Sequence, residues 1–591
     1  KACGSVGDLE KGKKIHKEIK NRCLLEKDVM LGTALVDMYA KCGVIAKAQE
    51  VLEELIVRNV VSWNALITGY TQQGQCQEAL NCFEQMQSEG LSPNTVTFIC
   101  ILKACGSTGA IEKGEQIHEL IVHRGFLEKY IVLGNGLVDM YAKCGVLSKA
   151  QQVLKELHLR NVVSWNALIT GYADHGQGHE ALNAFDQMQS EGFCPDDVTY
   201  MCILKGCGSI GAIDKGKQIH NEIVGRGLLE TDIEKDIVLG TALVDMYAKC
   251  GVLAKAQKLH EELSIRNVIS WSALIAGYVQ QGQGHEALNC FERMQSEGLP
   301  PNAVTFICII KACGNTGAID KGKQFHNEIL CGDFLSTDVA IGNALVDMYA
   351  KCGVLGKARE VLEDIPVRDI VSWNALITGY VEHEQGFEAL NCFEQMQREG
   401  IIPDAITFTC ILKACGSLGM IDKGEPIHQE IVSRNLLKND IVLGNALVDM
   451  YVKCAAMAKA QEVLENLPDR NVVTWSTLIA GYAQNVQCHE ALKCFERMQS
   501  EGQSPNIVTL TCVLKACGSI RAIDQGKKIH DVVSSRGLLK REIVFGSVLV
   551  DMYTKCGELA KAQETLKELS IQNVVAWNAL ITGYTQQGQG R

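Results

Sequence analysis

Val60-Val61-Ser62-Trp63-Asn64-Ala65-Leu66-Ile67-Thr68-Gly69-Tyr70 recurs in near-copy around Trp165, Trp271, Trp373, Trp475 and Trp577, so every tryptophan marks one phase of a large repeat. The interval is 102 residues except once, where it is 106. The four extra residues fall near Thr231-Asp232-Ile233-Glu234, and the flanking pattern resumes in phase, so a loop insertion is expected there.

Each 102-residue block divides into three units on one plan, for example Val60 to Asn94 (35 residues), Thr95 to Tyr130 (36) and Ile131 to Asn161 (31). In the first, Trp63, Leu66, Ile67 and Tyr70 lie at helical spacing, Gly74 breaks the helix, and Ala79, Leu80, Phe83 and Met86 form a second apolar stripe. Gly90 and Pro93 then stop it. Such a helical hairpin cannot bury its apolar faces alone, so neighbouring hairpins must stack into a solenoid with one continuous core. Sixteen complete units fit within 29–573, flanked by partial units at 1–28 and 574–591. Apolar outer faces and the absence of a leader before Lys1 read as an internal fragment.

Composition agrees with a folded chain: 47% hydrophobic and 21% charged residues, with a net charge of −12. No apolar run approaches the roughly 18 residues of a membrane span. The 26 cysteines recur at fixed places in helical patterns. They read as reduced, buried thiols acting as small hydrophobes in a reducing compartment, not as a disulfide framework.

Hairpins of 34 residues would indicate a tetratricopeptide array, but a rotation of 35, 36 and 31 does not match it. The chain resembles the pentatricopeptide repeat family instead. The opening Val60 to Tyr70, Glu78-Ala79-Leu80 with Phe83 and Met86, and Leu35-Val36-Asp37-Met38-Tyr39-Ala40-Lys41-Cys42-Gly43 are similar to its PLS subfamily, and these motifs cover essentially the whole chain. The resemblance implies an all-α, right-handed superhelical solenoid that binds single-stranded RNA, one nucleotide per repeat, in the mitochondria or chloroplasts of land plants. It further implies a specificity factor for organellar RNA processing or cytidine-to-uridine editing, with editing or processing co-factors as further partners. An E or DYW deaminase-like extension, frequent in PLS relatives, would lie beyond Arg591.

In that family the fifth residue of a repeat and its last residue together select the base. Part of the code follows from base chemistry: uracil and guanine present a ring N–H, cytosine and adenine a ring nitrogen acceptor. Asp at the last position therefore suits the first pair and Asn the second. The assignment of Asn at the fifth position to pyrimidines, and of Thr or Ser to purines, comes from the resemblance alone.

On that code, in the 35-residue units Asn64 with Asn94 selects C or U, Asn166 with Asp196 U, Ser272 with Asn302 A, Asn374 with Asp404 U, and Ser476 with Asn506 A. In the 31-residue units Thr33 with Asn59, Thr241 with Asn267 and Ser547 with Asn573 select A. Asn135 with Asn161 and Asn445 with Asn471 select C or U, and Asn343 with Asp369 selects U. The 36-residue-type units carry Ile99, Met201, Ile307, Thr409 and Thr511 at the fifth position and are read as unspecific spacers, although Thr409 with Asp440 formally selects G. The implied target is 5′-AYnYUnAAnUUnYAnA, where Y is a pyrimidine and n any base.

Two competing readings attach to these residues. Asn, Ser and Thr near helix starts also serve as caps. Capping accounts for polarity but not for the alternation of Asn with Ser or Thr, and of Asn with Asp, among nearly constant neighbours. The β-branched second residues Val61, Val132, Val163, Ile269 and Val371 either sandwich bases, as in relatives, or pack in the core.

No catalytic site, cofactor motif or metal cluster stands out. Gly7 to Lys13, Gly211 to Lys217 and Gly317 to Lys323 imitate a phosphate loop, yet lack its final Ser or Thr and any preceding strand. His16-Lys17-Glu18, His220-Asn221-Glu222, His326-Asn327-Glu328 and His428-Gln429-Glu430 imitate a zinc deaminase, but the chain has no Cys-x-x-Cys. Cys100 with Cys105 and Cys410 with Cys415 are five apart, poor metal spacing. The acidic balance argues against strong phosphate binding. Lys41, Lys143, Lys249, Lys351, Lys453 and Lys555 recur in one phase, either as a groove-lining stripe or as helix-end charges. The alternative to RNA recognition is a protein-interaction scaffold, expected to carry aromatic or charged pockets at the variable positions, and near-identical blocks also fit a recently duplicated fragment without function.

Overall fold

The computed structural model describes residues 2–22, 28–229, 233–332, 334–438, 440–537, 543–569 and 574–586, and every regular element among them is helical. The chain divides into two compact units, Lys1–Cys308 and Ile309–Arg591.

Within each unit the plan is the same. A first helix such as Val60–Gln72 turns at Gly74, whose φ of 74° is left-handed and costs a glycine little, into a second helix, Cys76–Ser88. The predicted stripes Trp63, Leu66, Ile67, Tyr70 and Ala79, Leu80, Phe83, Met86 are all buried. Each first helix packs on its own second helix and on the neighbouring first helix, as Val29–Lys41 does with Ile45–Glu54 and Val60–Gln72, and Val339–Lys351 with Leu355–Asp364 and Ile370–Glu382. The all-α solenoid expected from the repeat is the architecture observed.

Close approach of first helices needs a small residue. A Cβ on Gly171 would lie 2.6 Å from the Ala142 Cβ and 3.3 Å from its Cα. Three of the tryptophans are stapled from above: Trp63 Nε1 donates to Glu89 Oε2 (2.9 Å), while Arg58 holds the other carboxylate oxygen at 2.5 Å. Trp271 and Trp373 make the same bond to Glu297 and Glu399.

The insertion is not a loop throughout. Thr231 and Asp232 lie outside the described residues, but Ile233 and Glu234 open the helix Ile233–Lys249, which has 17 residues where its counterparts have 13. Four residues are about one helical turn, so the helix lengthens without rotating its buried face.

The motifs that imitate other chemistries are repeat architecture. Gly211 and Gly317 are left-handed residues (φ 68° and 69°) that end one helix before the next begins. His16, His118, His220, His326, His428 and His530 each set Nδ1 within 2.8–3.0 Å of a tyrosine hydroxyl on the next first helix, from Tyr39 to Tyr553. All described cysteines are free, and most are buried or half-buried, with Cys194 and Cys331 exposed. Burial pushes the Cys105 and Cys207 thiols up to about 12, consistent with packing rather than reactivity.

Two outcomes follow. Gly171→Ala gains about 1 kcal/mol of helix propensity but overpacks a helix crossing at a typical cost of about 1–3 kcal/mol, so a lowered urea midpoint is expected. Gly356→Ala, whose Cβ would meet nothing within 4 Å, should raise it slightly. Burial also lowers the pKa of His118, His220, His326, His428 and His530 below the ordinary 6.5. As pH falls through 6.5 the unfolded chain takes up protons that the folded imidazoles resist, so stability present above that pH is lost. Thermal midpoints measured from pH 7.5 to 5 should drop steadily, and a flat profile would contradict this account.

Candidate nucleic-acid interface

The predicted last residues stand one position before the next first helix, and they cap it. Oδ1 of Asn59, Asn94, Asn161, Asp196, Asn267, Asn302, Asp369, Asp404, Asn471 and Asn506 accepts the backbone N–H three residues on, at 2.8–3.1 Å. Asn573 lies outside the described residues. The capping reading is therefore correct for every described position, and it does not displace the other. With Oδ1 committed to the helix, the atom left is Nδ2 in Asn and Oδ2 in Asp, a donor in one case and an acceptor in the other.

The acceptor stays ionised. Burial alone would raise the Asp196 carboxyl, but bonds from the Thr199 amide and the Asn166 side chain help outweigh it and hold the pKa below the usual range. Asp404 behaves likewise with Thr407 and Asn374.

The fifth residues meet the last residues side chain to side chain. In the 35-residue hairpins Asn64 Nδ2 donates to Asn94 Oδ1 (2.9 Å), Asn166 to Asp196 (2.9 Å) and Asn374 to Asp404 (3.0 Å). Ser272 and Ser476 instead contact Thr305 and Thr509, at 2.7 and 2.6 Å. In the 31-residue hairpins Asn135 Nδ2 reaches Asn161 at 3.3 Å and Asn343 reaches Asp369 at 3.1 Å. Thr33 turns its hydroxyl back to the Val29 carbonyl. Among the described residues Thr241 Oγ1 and the Oδ1 atoms of Asn135, Asn343 and Asn445 are buried with no hydrogen-bond partner. Ser547 is buried on the same face of its helix. The spacer hairpins lack this arrangement: Thr511 bonds its own helix at the Ile507 carbonyl, and Asp440 caps only its own helix at Val442 and Leu443.

The second residues are not core. Val61, Val132, Val163, Ile269 and Val371 are 52–64% exposed, so the packing alternative fails. One groove of about 790 Å³ in the first unit brings the three classes together, lined by Thr33, Asn59, Val61, Asn64, Asn94 and Val96. Apolar ridges and single polar atoms then alternate along it, a surface suited to flat rings with polar edges.

The lysine stripe exists but is neutralised. Lys41, Lys143, Lys249, Lys351, Lys453 and Lys555 each pair at 2.7–2.8 Å with an aspartate one turn earlier, from Asp37 to Asp551. The Asp-x-x-x-Lys spacing was present in the sequence and the pairing follows from it. What sequence reasoning missed is the third residue of each following helix, Thr97, Thr199, Thr305, Thr407 and Thr509, which joins the cap to the fifth residue. Its signal was a constant Thr three places after a variable Asn or Asp.

Comparison with known proteins bears on this arrangement. The PPR repeat family model matches residues 58–107, 160–209, 266–315, 368–417 and 470–519, and the PPR repeat model matches 33–60, 135–162, 198–228, 343–370 and 575–591. A mitochondrial pentatricopeptide repeat-containing protein of Arabidopsis thaliana is 32% identical over 99% of this chain and 76% of its own length. A chloroplastic one is 34% identical over 86% of this chain and 81% of its own. The crystal structure of the pentatricopeptide repeat protein PPR10 from maize covers 93% of this chain and 84% of its own with a TM-score of 0.56 at 20% identity, and PPR10 has also been solved in complex with an 18-nt psaJ RNA element (TM-score 0.53). The segments matched by the first model each begin two residues before the first helix of a 35-residue hairpin, and the chain belongs to the pentatricopeptide repeat family.

Proposed function

We propose that this chain binds single-stranded RNA in a sequence-specific way, one base per 35- or 31-residue hairpin, with the 36-residue hairpins as spacers. It acts as a PLS-type specificity factor for processing or cytidine-to-uridine editing of transcripts in a mitochondrion or chloroplast. It works as an adaptor with no reaction centre of its own and recruits the effector. The unit boundaries are those of the repeat: partial units at 1–28 and 574–591 around sixteen hairpins in 29–573.

The observation that carries this reading is the pairing of fifth and last residues, repeated in both units and lining a groove at Asn64 and Asn94, with the helix cap leaving one uncommitted atom on the last residue. A scaffold for peptides would gain nothing from alternating Asn with Asp at a cap. The binding mode follows from the charges: paired lysines neutralise few phosphates, so affinity rests on base contacts more than on counterion release.

The test is binding to a labelled RNA carrying 5′-AYnYUnAAnUUnYAnA, beside one with A and U exchanged opposite Asp196, Asn302 and Asp404. Three contacts of about 1 kcal/mol each lower affinity for the exchanged RNA roughly 100-fold. Equal binding would sink the code, and binding to neither would favour the scaffold. Freeing two lysines with Asp347→Asn and Asp449→Asn should steepen the salt dependence by about 0.7 per lysine in the log–log slope, which fluorescence anisotropy across a salt series measures.

A further inference from the structure

We infer that the threonine at the third position of the helix after each 35-residue hairpin is a positioning residue that sets the hydrogen-bond polarity of the base-facing residue one hairpin earlier. This rests on the RNA-binding reading above.

Around Thr199 the protons and lone pairs admit one arrangement. Asp196 Oδ1 already accepts the Thr199 backbone N–H (2.9 Å) and the Asn166 amide (2.9 Å), which fills its two lone pairs. The Thr199 hydroxyl lies 2.6 Å from Asn166 Oδ1 and 2.8 Å from that same filled Asp196 oxygen, so its one proton goes to Asn166. Held at both ends, the Asn166 amide cannot flip, and it has one N–H left to offer. Asn64 with Thr97 (2.7 Å) and Asn374 with Thr407 (2.6 Å) repeat the geometry.

Where the fifth residue is Ser, the same threonine produces the opposite polarity. Ser272 donates its own proton to the Val268 carbonyl (2.7 Å), so its 2.7 Å contact with Thr305 Oγ1 uses the threonine's proton in preference to Asn302 Oδ1 at 2.9 Å. Ser476 does the same with Val472 and Thr509. What remains on Ser is a lone pair. Thr thus makes Asn a pure donor and Ser a pure acceptor. A donor suits the O2 carbonyl common to uracil and cytosine, and an acceptor suits the exocyclic amine of adenine.

The short hairpins lack this lock. There the third residue returns its hydroxyl to the cap's own carbonyl, Ser164 to Asn161 at 2.7 Å and Thr474 to Asn471 at 2.8 Å, and the Oδ1 atoms of Asn135 and Asn445 have no partner among the described residues. Hydroxyl identity is not the cause, since Thr474 is itself a threonine. The spacing is: 33 residues separate Asn166 from Thr199, but 29 separate Asn135 from Ser164.

The experiment compares the parent chain, Thr199→Val and Thr199→Ser on the predicted RNA and on the same RNA with the U opposite Asn166 changed to G, which keeps the ring N–H that Asp196 reads. The parent and T199S should prefer U by roughly 5-fold, a single hydrogen bond's worth, while T199V should prefer it less than 2-fold with similar binding when that nucleotide is left out of the site. Ser164→Ala, by contrast, should leave discrimination opposite Asn135 unchanged. If the melting curve shows T199V unfolded, Thr407→Val with the nucleotide opposite Asn374 takes its place. Full discrimination by the Val variant overturns the positioning role while leaving RNA recognition standing; a parent that does not discriminate overturns the recognition reading itself.

Discussion

One hydrogen bond organises this protein: the side-chain oxygen of an Asn or Asp at the end of one hairpin accepting a backbone N–H in the first turn of the next. A helix start has unsatisfied donors, and a buried helix end must satisfy them. Placing that cap after the described 35- and 31-residue hairpins does more than stabilise the helix. It fixes a short side chain whose capping oxygen also accepts the amide of the fifth residue of its own hairpin. Asn166 meets Asp196 because the cap holds Asp196 still. On the proposed reading, stability and base recognition are thus carried by the same atoms.

Charge tells a complementary story. A net charge of −12 is awkward for a polyanion binder, and the structure does not relieve it with a free cationic stripe, since the lysines in phase are each matched by an aspartate. Exposed pairs of this kind contribute little stability. Their effect is to hold down phosphate attraction, so the polar atoms and valine ridges of the groove carry more of the discrimination. Six histidines in one phase of the repeat, His16 to His530, by contrast spend their chemistry inside it, each bonded to the tyrosine of the following first helix.

Much of this was legible in the sequence. Tryptophan phase, unit lengths, apolar stripes and turn glycines all depend on spacing within a few residues along one helix, and those spacings have one physical solution. The capping of Asn94 by proximity to Thr97 is of the same kind, as is the pairing of Lys41 with Asp37. What escaped were facts about partners 29 to 33 residues away. Val61 looks the same in sequence whether buried or exposed. Only the crossing of neighbouring first helices leaves it 60% exposed in the groove.

The sequence by itself determined the helical hairpins, their order and their register, because periodic apolar residues and glycine turns act locally. Tertiary structure alone decided that the insertion lengthens a helix, since four residues preserve the buried face. It also decided that Asn166 is locked while Asn135 is not. The two asparagines sit in matching positions of similar helices, and the difference lies in how far the next helix start is carried round before its threonine or serine faces back.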